Sequence, residues 1–262
     1  MANFINLGSL SAHMRYLLLK YKKKDKSFLI RDFSQDFHSH YGVITKEQLR
    51  KAKPGETIST QTGKEFLVEE PSFPELFKKI KRRAQMIPVK DYSAILANTM
   101  VGKDSICLDA GTGSGALACF LARFVKKVIT YDVREDHQKI ARKNAEFLGL
   151  KNIEFRSADI FNPDEIDVKN IDLFTLDVTT PWDAIETADN VLKRGGYLVS
   201  YSPNLTQIAR MVNSLELKES FELIKVEELI EREWEVKGDR ILRPKMRDIA
   251  HSGFLIFAKK LQ

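Results

Sequence analysis

Cysteine is scarce: Cys107 and Cys119 are the only two in 262 residues, one in an apolar strand pattern and one in a helical pattern. Two isolated thiols exclude a disulfide framework and a cysteine-built zinc site, and both are expected to be buried. No apolar run approaches the roughly twenty residues a membrane span needs. The first twenty residues also lack a basic start leading into a sustained apolar stretch, so a cytoplasmic protein with no membrane and no metal partner is expected. Internal repeats and low-complexity tracts are missing, which excludes solenoids and disordered linkers.

What the chain does have is 43% hydrophobic residues, enough to bury a full core in one large and one small domain. Its net charge of +6 is unevenly spread. Residues 1–84 hold 17 Lys/Arg against 9 Asp/Glu, while the remainder holds 25 against 27. A basic module beside a near-neutral one suits a polyanionic partner, because phosphate contacts need Lys and Arg on one surface. A merely well-solvated basic domain accounts for the same numbers.

Residues 1–70 read as a small β-barrel or sandwich. RYLLLKY and SFLIRDF form one hairpin across KKKDK, and GETISTQ and KEFLVEEP form another across Thr62-Gly63, with a loop and one short helix between the pairs. Residues 71–103 have apolar positions at helical spacing and predict a helical connector. From residue 104 strand and helix patterns alternate, from SICLDAG to LTQIARMVNSLEL, and such alternation builds a doubly wound α/β domain over 104–262. The end departs from the alternation, with a strand at ELIKVEELI, an interrupted stretch to Lys245, and a final strand in SGFLIFAKK.

The chemistry gathers at strand ends. After the first strand of the alternation runs Asp109-Ala110-Gly111-Thr112-Gly113-Ser114-Gly115-Ala116-Leu117, a glycine loop leading into a helix, where the backbone can turn tightly and lie close to a ligand. The next strand ends at Asp132, placed to accept both hydroxyls of a ribose. Gly111, Gly113 and Ala116 also satisfy the dinucleotide pattern, so the glycines alone leave two ligand classes open. Three acids decide between them. Asp109 is placed to receive an ammonium group, Asp159 in Ala158-Asp159-Ile160 can accept from an adenine amine, and Asp177 precedes Val178-Thr179-Thr180-Pro181-Trp182 at the mouth of the same crevice. Four strand-end acids fit a cationic, adenosine-containing ligand, which describes S-adenosylmethionine. A single Asp at such a position is more often a cap or turn residue.

These segments, with FHSHYGVI, RRAQMIPVKD, YDVRED, LDVTTPW, GGYLVSYSPNLTQ, LRPKMR and HSGFLIFAKK, make the chain similar to the tRNA adenine-N1 methyltransferases that modify position 58 of the T-loop, in particular their archaeal and bacterial homotetrameric type. The glycine loop is common to many methyltransferases, whereas RRAQMIPVKD and HSGFLIFAKK are far more specific. The resemblance implies a class I methyltransferase with a Rossmann-like sheet and a small N-terminal β domain. It also implies S-adenosylmethionine as cofactor, tRNA as partner, a homotetramer, and methylation of position 58, with neighbouring position 57 left open. Carried over by position, Gln85 covers the cofactor's adenosine part, Ala110 to Leu117 its methionine part, Asp132 its ribose, and Asp159 with Ile160 its adenine. His137 stands where the family commonly has a cofactor-contacting Arg, and Asp132 where it usually has Glu. Asp177 corresponds to the acid at the target base, although Val178-Thr179-Thr180 replace the usual proline and small or acidic residue.

Adenine N1 has an in-plane lone pair, so positioning and charge stabilisation are expected to dominate, with Asp177 hydrogen-bonded to the N6 amine. The base has to leave its stack, and Tyr92, Trp182 and Tyr201 are candidates to receive it, with core packing as the competing role for each. His251 is a candidate for the target pocket or a satisfied structural histidine. The lysines of 22–26 and of Lys78, Lys79 and Lys81, with Arg82 and Arg83, are candidates for phosphates or for a solvated face. The alternatives are a methyltransferase acting on proteins or small molecules, a non-catalytic tRNA-binding subunit, and a dinucleotide oxidoreductase.

Overall fold

The computed structural model describes residues 16–23, 26–82, 86–238, 240–245 and 251–262, which divide into two units at Ile80/Lys81. In the first unit, the apolar run Leu17–Tyr21 forms β1, and Ser27–Ile30 forms β2. Then come β3 (Phe37–Ser39), β4 (Gly42–Ile44), α1 (Lys46–Lys51), β5 (Thr57–Ser59), β6 (Glu65–Glu69) and α2 (Phe73–Phe77). The main sheet is antiparallel throughout with order β2-β1-β6-β5, so among the described residues it is an open sheet and not a closed barrel. The expected loop between the two hairpins contains a third, β3-β4, too short to show alternation in sequence. Thr45 and Gln48 close a capping box on α1, each side chain bonding the other's backbone N–H. Leu19, Ile44, Leu49 and Phe66, all fully buried, centre a core ringed by Phe28, Phe37 and Tyr41.

The 71–103 connector is not one element. Its first helix, α2, falls in the first unit, and α3 (Val89–Thr99) falls in the second. Pro88 sets where the second of them starts, because a proline drives the residue before it out of helical geometry while itself suiting the start of a new helix.

The second unit continues with β7 (Ile106–Ala110), α4 (Ala116–Leu121), β8 (Lys127–Tyr131), α5 (Glu135–Phe147), β9 (Ile153–Arg156), β10 (Ile171–Leu176) and α6 (Ile185–Val191). It closes with β11 (Leu192–Ser202), α7 (Leu205–Glu216), β12 (Phe221–Glu227), the hairpin β13 (Trp234–Lys237) and β14 (Ile241–Pro244), and β15 (Phe254–Lys260). Seven strands form one sheet in the order β12-β15-β11-β10-β7-β8-β9, with β15 alone antiparallel to its neighbours. Leu108, Phe174, Leu198 and Ile256 are buried at its centre, as expected of strands covered on both faces. The chain moves outward from β7 through β8 to β9, then returns to β10 on the other side of β7. That reversal opens a crevice at the carboxyl ends of β7 and β10, where ligands of such sheets bind. The interrupted stretch before Lys245 proves to be the β13-β14 hairpin, turned at Gly238 with φ +56°.

Candidate active site

Two adjoining chambers occupy that crevice. The smaller, about 180 Å³, is lined by the glycine loop (Gly111 to Ser114, Ala116, Leu117) together with Tyr92, Asp109, Asp132, Arg134 and Asp177. The larger, about 510 Å³, is lined by Val133, Phe161, Val178, Thr179, Tyr201, Pro203, Gln207 and Ser252. Met86, Ile87, Gly111, Asp132, Arg134 and Asp177 face both.

The glycines differ in purpose. At Gly115, with φ +75°, a Cβ would come within 2.7 Å of Ala141 Cβ, so this glycine lets α4 and α5 close on each other. Gly113 adopts φ +54° and gives its N–H to Asp132 Oδ2 at 3.0 Å. A Cβ on Gly111 would point into the crevice, near Asp132 Oδ2 and Val178. Asn144, buried on α5, holds the loop from behind by donating to Ser114 O at 2.8 Å and to Lys81 O at 2.9 Å.

Asp109 is buried at the end of β7, where Thr130 and Thr175 each donate to one of its oxygens, at 2.7 and 2.9 Å. Burial dominates over those bonds and pushes its carboxyl up to about 7, aided by the neighbouring charges of Asp177 and Asp132. Asp132 also accepts from the Arg134 backbone N–H at 2.9 Å, and His137 Nδ1 lies 3.4 Å from its Oδ2. His137 therefore stands behind Asp132 and outside both chambers. Asp177 is open to the crevice in surface terms, yet the chamber walls close around its carboxyl and the loss of surrounding water pushes it up to about 6. Its backbone N–H binds Ala110 O at 2.6 Å, fixing the ends of β7 and β10 together.

The aromatic candidates separate. Tyr92 is buried in the wall of the smaller chamber, tilted against Phe120, and its phenol is held well above the usual range by burial and by Asp177 and Asp109. Tyr201 lines the larger chamber, donates its hydroxyl to Ser252 O, and has its phenol pushed up to about 12 by burial and the charge of Asp91. Trp182 lines neither; the short helical turn at Pro181–Ala184 sets its ring under Arg210, 5.2 Å from the guanidinium carbon. His251 also lies outside both chambers and binds Glu228 Oε1 at 2.6 Å and Pro203 O at 3.0 Å, contacts that hold its pKa above the ordinary value. Asp159 caps its own turn by accepting from Phe161 N–H at 3.0 Å, and Ile160 is buried beneath it; Phe161 is the residue of this segment that reaches the larger chamber. Gln85 lies outside the described residues, although Met86 and Ile87 beside it face both chambers. Arg134, Gln207 and Ser252 escaped sequence reasoning as lining residues; Ser252 alone lay in a segment already marked as specific.

Among the described residues no group of His, Cys, Asp and Glu is arranged to hold a metal ion, and no helix is long and apolar enough to cross a membrane. Cys107 and Cys119 are both buried and unpaired.

Three carboxylates around a small chamber suit a cation and repel a pyrophosphate. With the seven-stranded order and the glycine loop at the reversal, they define a class I methyltransferase. The comparisons with known proteins agree. A tRNA (adenine(58)-N(1))-methyltransferase TrmI of Thermus thermophilus is 34% identical over 251 residues, covering 93% of this chain and 96% of that protein. A solved structure named as a SAM-dependent O-methyltransferase, from Thermotoga maritima, is 30% identical with a TM-score of 0.83, covering 94% of this chain and 93% of the other. The solved tRNA (m1A58) methyltransferase TrmI of Aquifex aeolicus is 26% identical with a TM-score of 0.79, covering 95% and 97%. The chain belongs to the family described as tRNA methyltransferase complex GCD14 subunit, which matches residues 67–252.

Proposed function

We propose that this protein transfers a methyl group from S-adenosylmethionine to N1 of the adenine at position 58 of tRNA. The observation that carries the reading is the pair of joined chambers, one ringed by Asp109, Asp132 and the glycine loop, the other presenting Asp177 beside Tyr201. The smaller chamber fits the cofactor's charge: Asp109 faces its ammonium group, Asp132 its ribose, and Gly111 to Leu117 its methionine part. When bound, the cofactor supplies an electrophilic methyl group on a sulfonium. Adenine N1 needs no deprotonation, so the chain's task is to hold the ring in line and to receive the positive charge that reaches it. Asp177, ionised, accepts from the N6 amine and meets that charge, while Tyr201 stacks on the extruded base.

The second unit supplies the chemistry, and the first unit's lysines supply phosphate contacts. The chain works as a homotetramer, as the resemblance implies, and the apolar face of the β13-β14 hairpin supports association between copies without setting their number. Trp234, Val236 and Leu242, each more than half exposed, share that face because Val236 pairs with Leu242 and Trp234 lies two residues from Val236.

The test is to incubate the protein with S-adenosylmethionine and an unmodified T-loop tRNA transcript, then digest and weigh the nucleosides. 1-Methyladenosine at one site upholds the reading. Cofactor binding with no methylated nucleoside, or methyl transfer to protein that RNase leaves untouched, overturns it.

A further inference from the structure

The two segments most specific in the sequence, RRAQMIPVKD and HSGFLIFAKK, meet in the folded chain at three side chains. Lys90 Nζ lies 2.7 Å from Asp91 Oδ1 and 2.7 Å from Ser252 Oγ, and Ser252 Oγ donates to Asp91 Oδ2 at 3.1 Å. The Asp91 side chain is fully buried and that of Lys90 is only 12% exposed. A buried ion pair is a poor source of stability, since desolvating both charges offsets their attraction, so its placement beside a chamber calls for another role.

Its geometry supplies one. The carbonyl of Ser252 accepts the Tyr201 hydroxyl, and the next residue is Gly253, where a Cβ would sit 2.8 Å from Tyr201 Cε2 and closer still to the ring's tip. Ser252 and Gly253 thus form a seat that the tyrosine ring lies against. The seat lies just ahead of β15, between His251, which is bonded to Glu228 and Pro203 O, and Phe254, which pairs with Ser202; the Lys90–Asp91 pair at the start of α3 adds a hold on Ser252 itself by gripping its hydroxyl from both sides. The next residue of α3, Tyr92, walls the smaller chamber. The first turn of this helix therefore borders one chamber and anchors the aromatic wall of the other.

We propose that Lys90, Asp91 and Ser252 are positioning residues that set the Tyr201 ring at the height and tilt needed to hold the target base level with Asp177. The proposal rests on the tRNA reading above and adds to it Lys90 and Asp91, which line neither chamber and act through Ser252, a residue of the larger chamber's wall.

The experiment combines single-turnover methyl transfer to T-loop tRNA at saturating cofactor, calorimetric cofactor binding, and NMR of protein carrying 13Cζ-tyrosine. Asp91→Asn and Ser252→Ala are each expected to slow transfer by about fivefold or more, to leave the cofactor Kd within about twofold, and to move the Tyr201 Cζ resonance. Ser252→Thr, which keeps the hydroxyl, restores most of the rate. In a Tyr201→Phe background, which removes the hydroxyl bond to Ser252 O and keeps the ring's contact with Gly253, the same substitutions slow transfer by a smaller factor than they do in wild type. Losses that multiply with Tyr201→Phe, a Thr variant no better than Ala, or full activity in Asp91→Asn overturn the proposal. Should Asp91→Asn fail to fold, the Ser252 series alone upholds or overturns it. If wild type methylates no tRNA, the Tyr201 resonance still decides the network: a shift in Ser252→Ala sustains the coupling and leaves only the tRNA reading to fall, whereas no shift removes both.

Discussion

Asp177 and Tyr201 stand level at the mouth of the same chamber. Strands β10 and β11 pair in parallel with Leu176 opposite Ser200, so the next residue of each strand, Asp177 and Tyr201, comes to the same height, and both line the larger chamber. A carboxylate and an aromatic ring on adjacent strand ends can grip one planar base by its edge and its face at once.

Replacing Asp177 by Ala or Asn should therefore lower the single-turnover rate of methyl transfer by at least about tenfold, roughly 1.4 kcal/mol of barrier. Cofactor affinity measured by calorimetry should change far less. Equal losses in rate and cofactor affinity would assign Asp177 to the cofactor alone.

The same carboxyl sets a pH dependence. Its pKa is raised to about 6, so it is neutral below that value and charged above it, and only the charged form both accepts from an amine and meets developing positive charge. The value of kcat/KM, which reports the free protein, should rise with pH through about 6 and then level off, and the Asn variant should lose that step.

Asp109 bears on stability with a defined sign. Its pKa is raised from 3.8 to about 7 in the fold, so the folded chain holds its proton more tightly than the unfolded chain does. The stability it contributes is complete below the unfolded value and is lost as pH rises through about 7. Denaturation at pH 5 and pH 8 should show a smaller difference for Asp109→Asn than for wild type, and calorimetry should show weaker cofactor binding by that variant.

In the first unit, Lys20, Lys26, Lys78 and Lys79 line a cavity of about 440 Å³. Lys20 is held by Glu69 at 2.5 Å and Glu75 at 3.3 Å, which leaves the other three to meet a phosphate backbone. Changing Lys26, Lys78 and Lys79 to Gln should raise the KM for tRNA without altering cofactor binding, and should flatten the salt dependence of tRNA affinity by up to about 0.9 for each phosphate no longer neutralised. An unchanged salt slope would make this face one that only water meets.

The hairpin face of Trp234, Val236 and Leu242 gives a prediction about assembly. Replacing all three by polar residues should lower the mass found by light scattering if that face joins copies of the chain. An unchanged mass would remove it from the interface.

Much of this was legible in the sequence for physical reasons. Strands buried on both faces appear as unbroken apolar runs, as in Phe254–Ala258, and a strand that ends at a ligand crevice shows a small or acidic residue there, as at Asp109, Asp132 and Asp177. Less legible was anything decided by side-chain direction. Tyr201 stands near the end of β11 and Trp182 comes after the end of β10, but the turn beginning at Pro181 carries the tryptophan out of the crevice and under Arg210. Asp159 has the sequence setting of a ligand acid and in the fold caps its own turn. The Lys90–Asp91–Ser252 cluster joins residues about 160 positions apart, a separation no local pattern reveals. The β3-β4 and β13-β14 hairpins have strands of three and four residues, too short to show a period.

The place of β15 has a consequence for how the molecule is made. It follows every other strand in the chain, yet in the sheet it lies between β11 and β12. During synthesis the cofactor-binding strands β7 to β10 can pair as soon as they emerge, whereas β11 keeps one bare edge and β12 has no neighbour until β15 arrives between them. Ser252 and Gly253 travel just ahead of that strand, so the seat of Tyr201 is assembled in the same event. A nascent chain can thus acquire its cofactor chamber early, while competence toward the base comes only with the last strand.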